Sequence, residues 1–136
     1  KGPKKIGPGP RILPLHLAPK RFAASGKGAR GTIIRYRLSE AAKVSFKFER
    51  KLPGRRVGGS CRRPTRGNRH DESCVRFHLV GTQVAKAKAG ANRLRFNGRL
   101  HGRALQPGTY RVTAVATDGD GLRSAPRRTS LQVVAA

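Results

Sequence analysis

The chain has 136 residues, and its 31 Lys and Arg stand against 6 Asp and Glu, a formal charge of +25. That length suits one domain with a real core and excludes two of ordinary size, and no apolar run approaches the roughly 18 residues of a membrane-spanning helix, so no membrane insertion is expected. Hydrophobic residues make up only 36%, while Gly (17) and Pro (9) are abundant, a composition that fits a small, turn-rich β fold. The chain begins at Lys1 and holds no Met, so an initiator residue and any export signal are expected to have been removed, or the chain is a fragment.

Lys1 to Arg11 is almost wholly Lys, Gly and Pro, which cannot bury surface and reads as a basic tail or linker preceding a domain over 12–136. Leu13, Leu15 and Leu17 then alternate with Pro14 and His16, the period of a strand that Pro14 confines to a sheet edge. A short apolar patch from Phe22 to Ala24 leads into a glycine-rich turn, Ser25 to Gly31. In TIIRYRL, Thr32 to Leu38, the residues Ile34, Tyr36 and Leu38 share one face and Ile33, Arg35 and Arg37 the other, the alternation of a half-buried strand. Val44, Phe46 and Phe48 repeat it against Lys43, Ser45, Lys47 and Glu49. Lys51 to Ser73 is long, polar and broken by Pro and Gly, and is expected to be a loop that contributes nothing to a core. Strands resume at Val75 to Val84, at Gly90 to Leu100 and, most clearly, at Tyr110, Val112, Ala114 and Ala116, with a last one ending on Leu131 and Val133. About seven strands at this spacing predict an all-β sandwich, and no segment carries a helical period.

The segment LQPGTYRVTAVATDGDGLRSAPRRTSLQVV, Leu105 to Val134, resembles the last two strands of immunoglobulin-like and fibronectin type III-like modules of exported bacterial proteins. RYRLSEAA (Arg35 to Ala42), PGRRVGGSC (Pro53 to Cys61), a second Cys, and GANRLRFNG (Gly90 to Gly98) extend the resemblance to modules common on surface proteins of high-GC Gram-positive bacteria. It covers Ile12 to Val134 and implies an immunoglobulin-like sandwich whose first strand includes Ile12 to Leu17. Such modules occur beside many partners, so the resemblance implies a fold and implies no activity. The turn Asp118-Gly119-Asp120-Gly121 departs from the Gly-Asn pair more usual in the group.

Cys61 and Cys74, with twelve residues between them, lie in the polar segment. A disulfide is the favoured reading, with a free-thiol pair or a zinc site completed by His70 and His78 as alternatives; the spacing fits no standard finger, and nine Arg or Lys between Arg50 and Arg76 oppose a dication. A bridge closing that loop removes roughly 3 kcal/mol of unfolded-chain entropy and implies an oxidising, extracellular or cell-surface setting. The same segment carries Arg55, Arg56, Arg62, Arg63, Arg66 and Arg69, candidates for binding phosphate, sulfate or carboxylate groups through guanidinium forks; against that, Arg35, Arg37, Lys43, Lys47, Arg93, Arg95, Arg111, Arg127 and Arg128 spread charge over the outer faces of the strands as well. The five Phe and two Tyr fall mostly on inner faces, leaving few platforms for stacking bases, so nucleic-acid binding is expected to be electrostatic and not sequence-specific.

Tyr110 is expected to form a tyrosine corner, its hydroxyl bonded to backbone near Leu105. Asp118 and Asp120 offer too few oxygens for calcium and read as a hairpin turn. His16, His70, His78 and His101 lie apart, the six carboxylates form no evident pair, and no catalytic residue, metal or cofactor is expected. Two functions fit: a non-enzymatic structural or adhesive module of the bacterial surface, or an electrostatic module for acidic wall polymers or extracellular nucleic acid. In a filament-forming version of the first, Ile12, Leu13, Leu15 and Leu17 would serve as a strand donated to a neighbouring subunit.

Overall fold

The computed structural model describes residues 8–25 and 31–135. Eleven strands follow in chain order: β1 (His16–Ala18), β2 (Arg21–Ala23), β3 (Thr32–Leu38), β4 (Ala42–Val57), β5 (Ser60–Arg62), β6 (Ser73–Ala87), β7 (Gly90–Phe96), β8 (Arg99–Leu100), β9 (Arg103–Ala104), β10 (Gly108–Thr117) and β11 (Arg127–Val134). The seven expected strands correspond to β1, β3, β4, β6, β7, β10 and β11. The other four are two- or three-residue pieces, too short to show a period in sequence.

The strands build a β-sandwich. One sheet has the order β1-β3-β7; the other runs β2-β11-β10-β4, with β6 on the far side of β4. In chain order the chain passes from one sheet to the other at β1 to β2, β2 to β3, β3 to β4, β6 to β7 and, by way of β8 and β9, β7 to β10. β2 joins β11 in parallel while the remaining pairs are antiparallel, and the chain changes sheets between β1 and β2 at a cis Ala18–Pro19 peptide. β8 and β9 form a separate small hairpin.

The alternation read from sequence becomes the core. Ile34, Tyr36 and Leu38 from β3, Val44, Phe46 and Phe48 from β4, and Tyr110, Val112, Ala114 and Ala116 from β10 all point between the sheets and are buried. Aromatic rings bridge the layers: Phe48 of β4 stacks on Phe96 of β7 at 4.5 Å, and Tyr36 of β3 meets Phe46 of β4 edge-on at 5.5 Å. Opposite the large β4 side chains, β10 presents small ones, with Phe46 paired to Ala114 and Phe48 to Val112, so bulk on one strand fills the space its neighbour leaves.

Two expectations are corrected. Leu13 does not share a face with Leu15 and Leu17: it is exposed, while Ile12, Leu15 and Leu17 are buried. Ile12 makes an isolated bridge to Leu38 and regular pairing begins only at His16, because Pro14 has no N–H to continue a ladder. The polar segment from Lys51 is not a loop either. β4 runs on to Val57, beyond Arg50, the last residue β10 pairs with, and its far half is flanked by β5 and by the start of β6. The result is a three-stranded ribbon in the order β5-β4-β6. No ribbon residue belongs to the hydrophobic core; backbone ladders and the Cys61–Cys74 disulfide hold it. A ladder needs no apolar side chains, so the Arg, Gly and Pro content concealed the strand.

Pro10 is buried, and Arg11 exchanges hydrogen bonds with Ser39, its N–H donating to Oγ at 2.7 Å and its carbonyl accepting from the Ser39 N–H at 3.0 Å. The chain just before Ile12 thus lies along the end of β3. Residues 1–7 of the expected tail, and most of the expected turn at Ser25 to Gly31, fall outside the described residues.

Candidate functional site

In the ribbon, Cys61 sits on β5 opposite Arg56 and Cys74 on β6 opposite Gly54, so the disulfide crosses over the face of β4. Neither cysteine is free. This bridge makes the thiol-pair and zinc alternatives moot, and no group of three or more potential metal ligands occurs among the described residues.

The six arginines named from sequence divide into two sets. Arg55 is engaged internally, donating to the Asp71 carbonyl and to Ser73 Oγ, both at 2.9 Å. Arg56 pairs with Glu72 at 3.4 Å, an exposed contact of little energetic weight. Arg62, Arg63 and Arg66 are exposed, with no ion pair among the described residues, and Arg69 donates to His70 Nε2 at 3.2 Å. Their backbone is ordered by a feature the sequence reading passed over. Thr65 and Asn68 cap each other around a short 3-10 turn (Arg66–Asn68), and the Asn68 amide also donates to the Arg63 carbonyl at 2.9 Å. The signal was the Thr-x-x-Asn spacing. Arg62 and Arg63, with Val57, Thr65, Gly67, Asn68 and Asp71, line an open depression of about 490 Å³.

A second cationic surface lies on the outer face of the three-stranded sheet. Alternation places Arg35 and Arg37 of β3 and Arg93 and Arg95 of β7 outward, as expected, and all four are exposed. What alternation cannot give is register. Arg35 stands directly opposite Arg93 on one side and His16 on the other, so three basic groups form a row across the strands. Like charges directly opposite in a sheet destabilise it, and no ion pair involves Arg35, Arg37, Arg93 or Arg95 among the described residues. The row lies in an open groove of about 660 Å³ bordered by Leu13, Pro14, Arg37 and Lys88. By contrast, Arg111 on the other sheet is engaged twice, pairing with Glu49 at 3.0 Å and lying 3.8 Å over the Phe77 ring.

Tyr110 is buried and its hydroxyl donates to the Gln106 carbonyl, one residue beyond the expected Leu105. Arg50 fixes the same corner, donating to Gln106 Oε1 at 3.0 Å and to the Pro107 carbonyl at 2.8 Å. Burial raises the Tyr110 pKa, with the Arg50 charge pulling part of the way back, and burial also raises that of Tyr36. Both groups ionise more readily in the unfolded chain, so the stability they confer is complete below the unfolded phenol value of about 10 and falls as pH rises above it. Tyrosinate absorbance should therefore lag behind free tyrosine and then rise together with loss of the β circular-dichroism signal. Full reversible ionisation near pH 10 with the fold intact would show that neither ring is desolvated.

Asp118 holds the turn before β11, its Oδ1 accepting from the N–H groups of Asp120 and Leu122 at 2.9 and 3.0 Å. The Ile12 to Leu17 segment is integrated into its own domain: Ile12, Leu15 and Leu17 are core residues, and Arg127 of β11 donates to the Ile12 carbonyl at 2.7 Å. Of the seven aromatic side chains only Phe77 is exposed, so the surface offers no series of rings on which bases could stack. No helix among the described residues is long and apolar enough to cross a membrane. No protein-family model matches the chain, and neither does any curated protein.

Proposed function

We propose that this chain is a non-enzymatic adhesive module of an extracellular surface that attaches by binding linear acidic polymers along the outer face of β1-β3-β7. The observation that carries the reading is the Arg35–Arg93 pair, two exposed arginines directly opposite each other in register with no carboxylate partner among the described residues. A sheet tolerates such a pair at a cost that an anionic ligand removes. Along each strand the arginines recur every second residue, about 7 Å apart, so a chain of regularly spaced phosphate or carboxylate groups can meet several of them in succession. Guanidinium forks suit both anion types.

The disulfide supports an exported setting, since such bridges are rare where thiols are kept reduced. Membership of the immunoglobulin-like, fibronectin type III-like group is supported by the sheet orders β1-β3-β7 and β11-β10-β4-β6 and by the Tyr110 corner. The ribbon arginines Arg62, Arg63 and Arg66, on the other sheet, form a separate cationic patch in a secondary role.

Replacing Arg35 and Arg93 together by Gln tests the reading, because it should move stability and binding in opposite directions. Relieving the like-charge contact raises stability by roughly 0.2–1 kcal/mol. Affinity for inorganic polyphosphate falls, and the slope of log affinity against log salt becomes shallower by about 1.4, the release of two single-strand counterion equivalents. Fluorescence anisotropy across a salt series, alongside urea melts, gives both quantities. If Arg62, Arg63, Arg66 and Arg69 changed to Gln abolish binding while the sheet pair has no effect, the site is the ribbon and the proposal fails.

A further inference from the structure

We infer that the open edge of β6, from Ser73 to Leu79, is a docking site for an extended acidic segment of a partner protein, which adds to the sheet as a further strand. Besides the three-residue ribbon strand β5, the sandwich has four edge strands among the described residues, and three of these are protected against such pairing. β1 and β2 are three residues long and lie on either side of Pro19, with Pro14 just before β1; β7 carries Arg93 and Arg95. Short strands, prolines and charges are the usual devices that keep an edge from pairing. β6 has fifteen residues, pairs with β4 alone, and has no other backbone partner among the described residues. Its one irregularity, an extra residue at Val80, leaves Ser73 to Leu79 as an uninterrupted run.

That run is also apolar where it meets water. Val75, Phe77 and Leu79 share the outer face and are 49%, 37% and 50% exposed. Alternate apolar side chains beside an unpaired backbone are what strand addition uses: the backbone gives affinity and the side chains give register. Beyond the run, Gly81 lies against Leu100 of β8, which ends the accessible stretch.

Charge selects the occupant. Lys51 lies opposite Phe77, Arg111 covers its ring, and Arg76 falls within the run. A second copy of the chain would bring the same cations against these and be repelled. A strand alternating apolar and acidic residues would instead set its apolar residues beside Val75, Phe77 and Leu79 on the outer face and its carboxylates on the other face beside Arg76, and the chain's net charge of +25 favours an acidic occupant over a second copy.

The probe is a synthetic peptide of alternating Val and Glu, with a Val and Lys peptide as its control. The Val/Glu peptide should slow hydrogen exchange at the Ser73 to Leu79 amides. Binding should weaken about tenfold or more when Val75 and Leu79 are both changed to Ser, through loss of apolar contact at two exposed positions outside the core. Changing Arg35 and Arg93 to Gln should leave it unaltered, which separates this site from the polyanion surface. The inference is overturned if exchange on β6 does not change, if both peptides bind equally, or if the Arg35/Arg93 variant loses binding while the Val75/Leu79 variant keeps it. It is equally overturned if sedimentation shows the chain dimerising through β6 in a way that the two Ser substitutions abolish, since the occupant is then a second copy.

Discussion

Phe48→Ala should destabilise the sandwich by about 3–5 kcal/mol, the range for removing a fully buried phenyl ring. Phe48 is completely buried and stacks on Phe96 at 4.5 Å, and Phe96 in turn meets Phe22 edge-on at 6.2 Å. The three rings come from β4, β7 and β2, so the loss opens a cavity at the point where both sheets and the parallel strand converge. The neighbours cannot close it. Val112 opposite Phe48 on β10 is itself buried, and Gly81 opposite it on β6 has no side chain to move inward. Urea melts should show a lower midpoint with an unchanged m-value. Should the variant fail to fold, Phe48→Leu provides the measurement at a smaller loss. A cost below about 1 kcal/mol for Phe48→Ala would mean that the inter-sheet aromatic cluster does not anchor the fold.

The sandwich itself was legible because it rests on period-two alternation, which a sequence displays directly. Thr32 to Leu38 and Tyr110 to Ala116 read as half-buried strands and are so. The places where the reading went astray are those where alternation is irrelevant to what holds the chain. Beyond Arg50, β4 is held by β6 on one side, by β5 at Arg55 to Val57 on the other and by the disulfide, and its sequence of Lys, Arg, Pro and Gly with only Leu52 and Val57 apolar does not distinguish a ribbon from a loop. Leu13 failed for a different reason. A backbone that cannot donate at Pro14 lets the chain rotate before β1 begins, and the face changes with it.

The candidate surface was legible by half. Alternation sends Arg35, Arg37, Arg93 and Arg95 outward, but their meaning lies in register, which pairs residues 58 positions apart in sequence. Only with Arg35 opposite Arg93 does a diffuse charge become a like-charge cross-strand pair. The same holds for β6. Val75 to Val84 reads as a strand without showing which face is buried, and it is the pairing of Val75, Phe77 and Leu79 with Pro53, Lys51 and Glu49 on the outward side of β4 that makes them an exposed stripe.

Gly54→Ala should dismantle the ribbon while leaving the sandwich standing. In a flat sheet, two strands flanking a third lie roughly 9.5 Å apart, yet the Cα atoms of Cys61 and Cys74, on either side of β4, are 6.0 Å apart. The ribbon curls around Gly54, and the bridge occupies the space where a side chain would be. A Cβ there would lie 2.4 Å from Cys61 Sγ and 2.9 Å from the Arg62 carbonyl oxygen, so either the disulfide or the β4–β5 pairing must give way. If the bridge fails to form, its stabilisation of roughly 3 kcal/mol is lost locally, and amide protection across β5 and the first residues of β6 should fall by about 100-fold. The global melt should move little, because no ribbon residue belongs to the core cluster, and a cross-link stabilises only the structure that orders with it. Gly67→Ala is the control: its Cβ would find only Thr65 Oγ1, at 3.8 Å, and should change neither thiol reactivity nor exchange. Thiol titration of the Gly54→Ala protein under nonreducing conditions, together with hydrogen exchange, separates the outcomes. An intact bridge with native protection would show that the strand can shift to admit a methyl group, and that the glycine is not what allows the disulfide to cross β4.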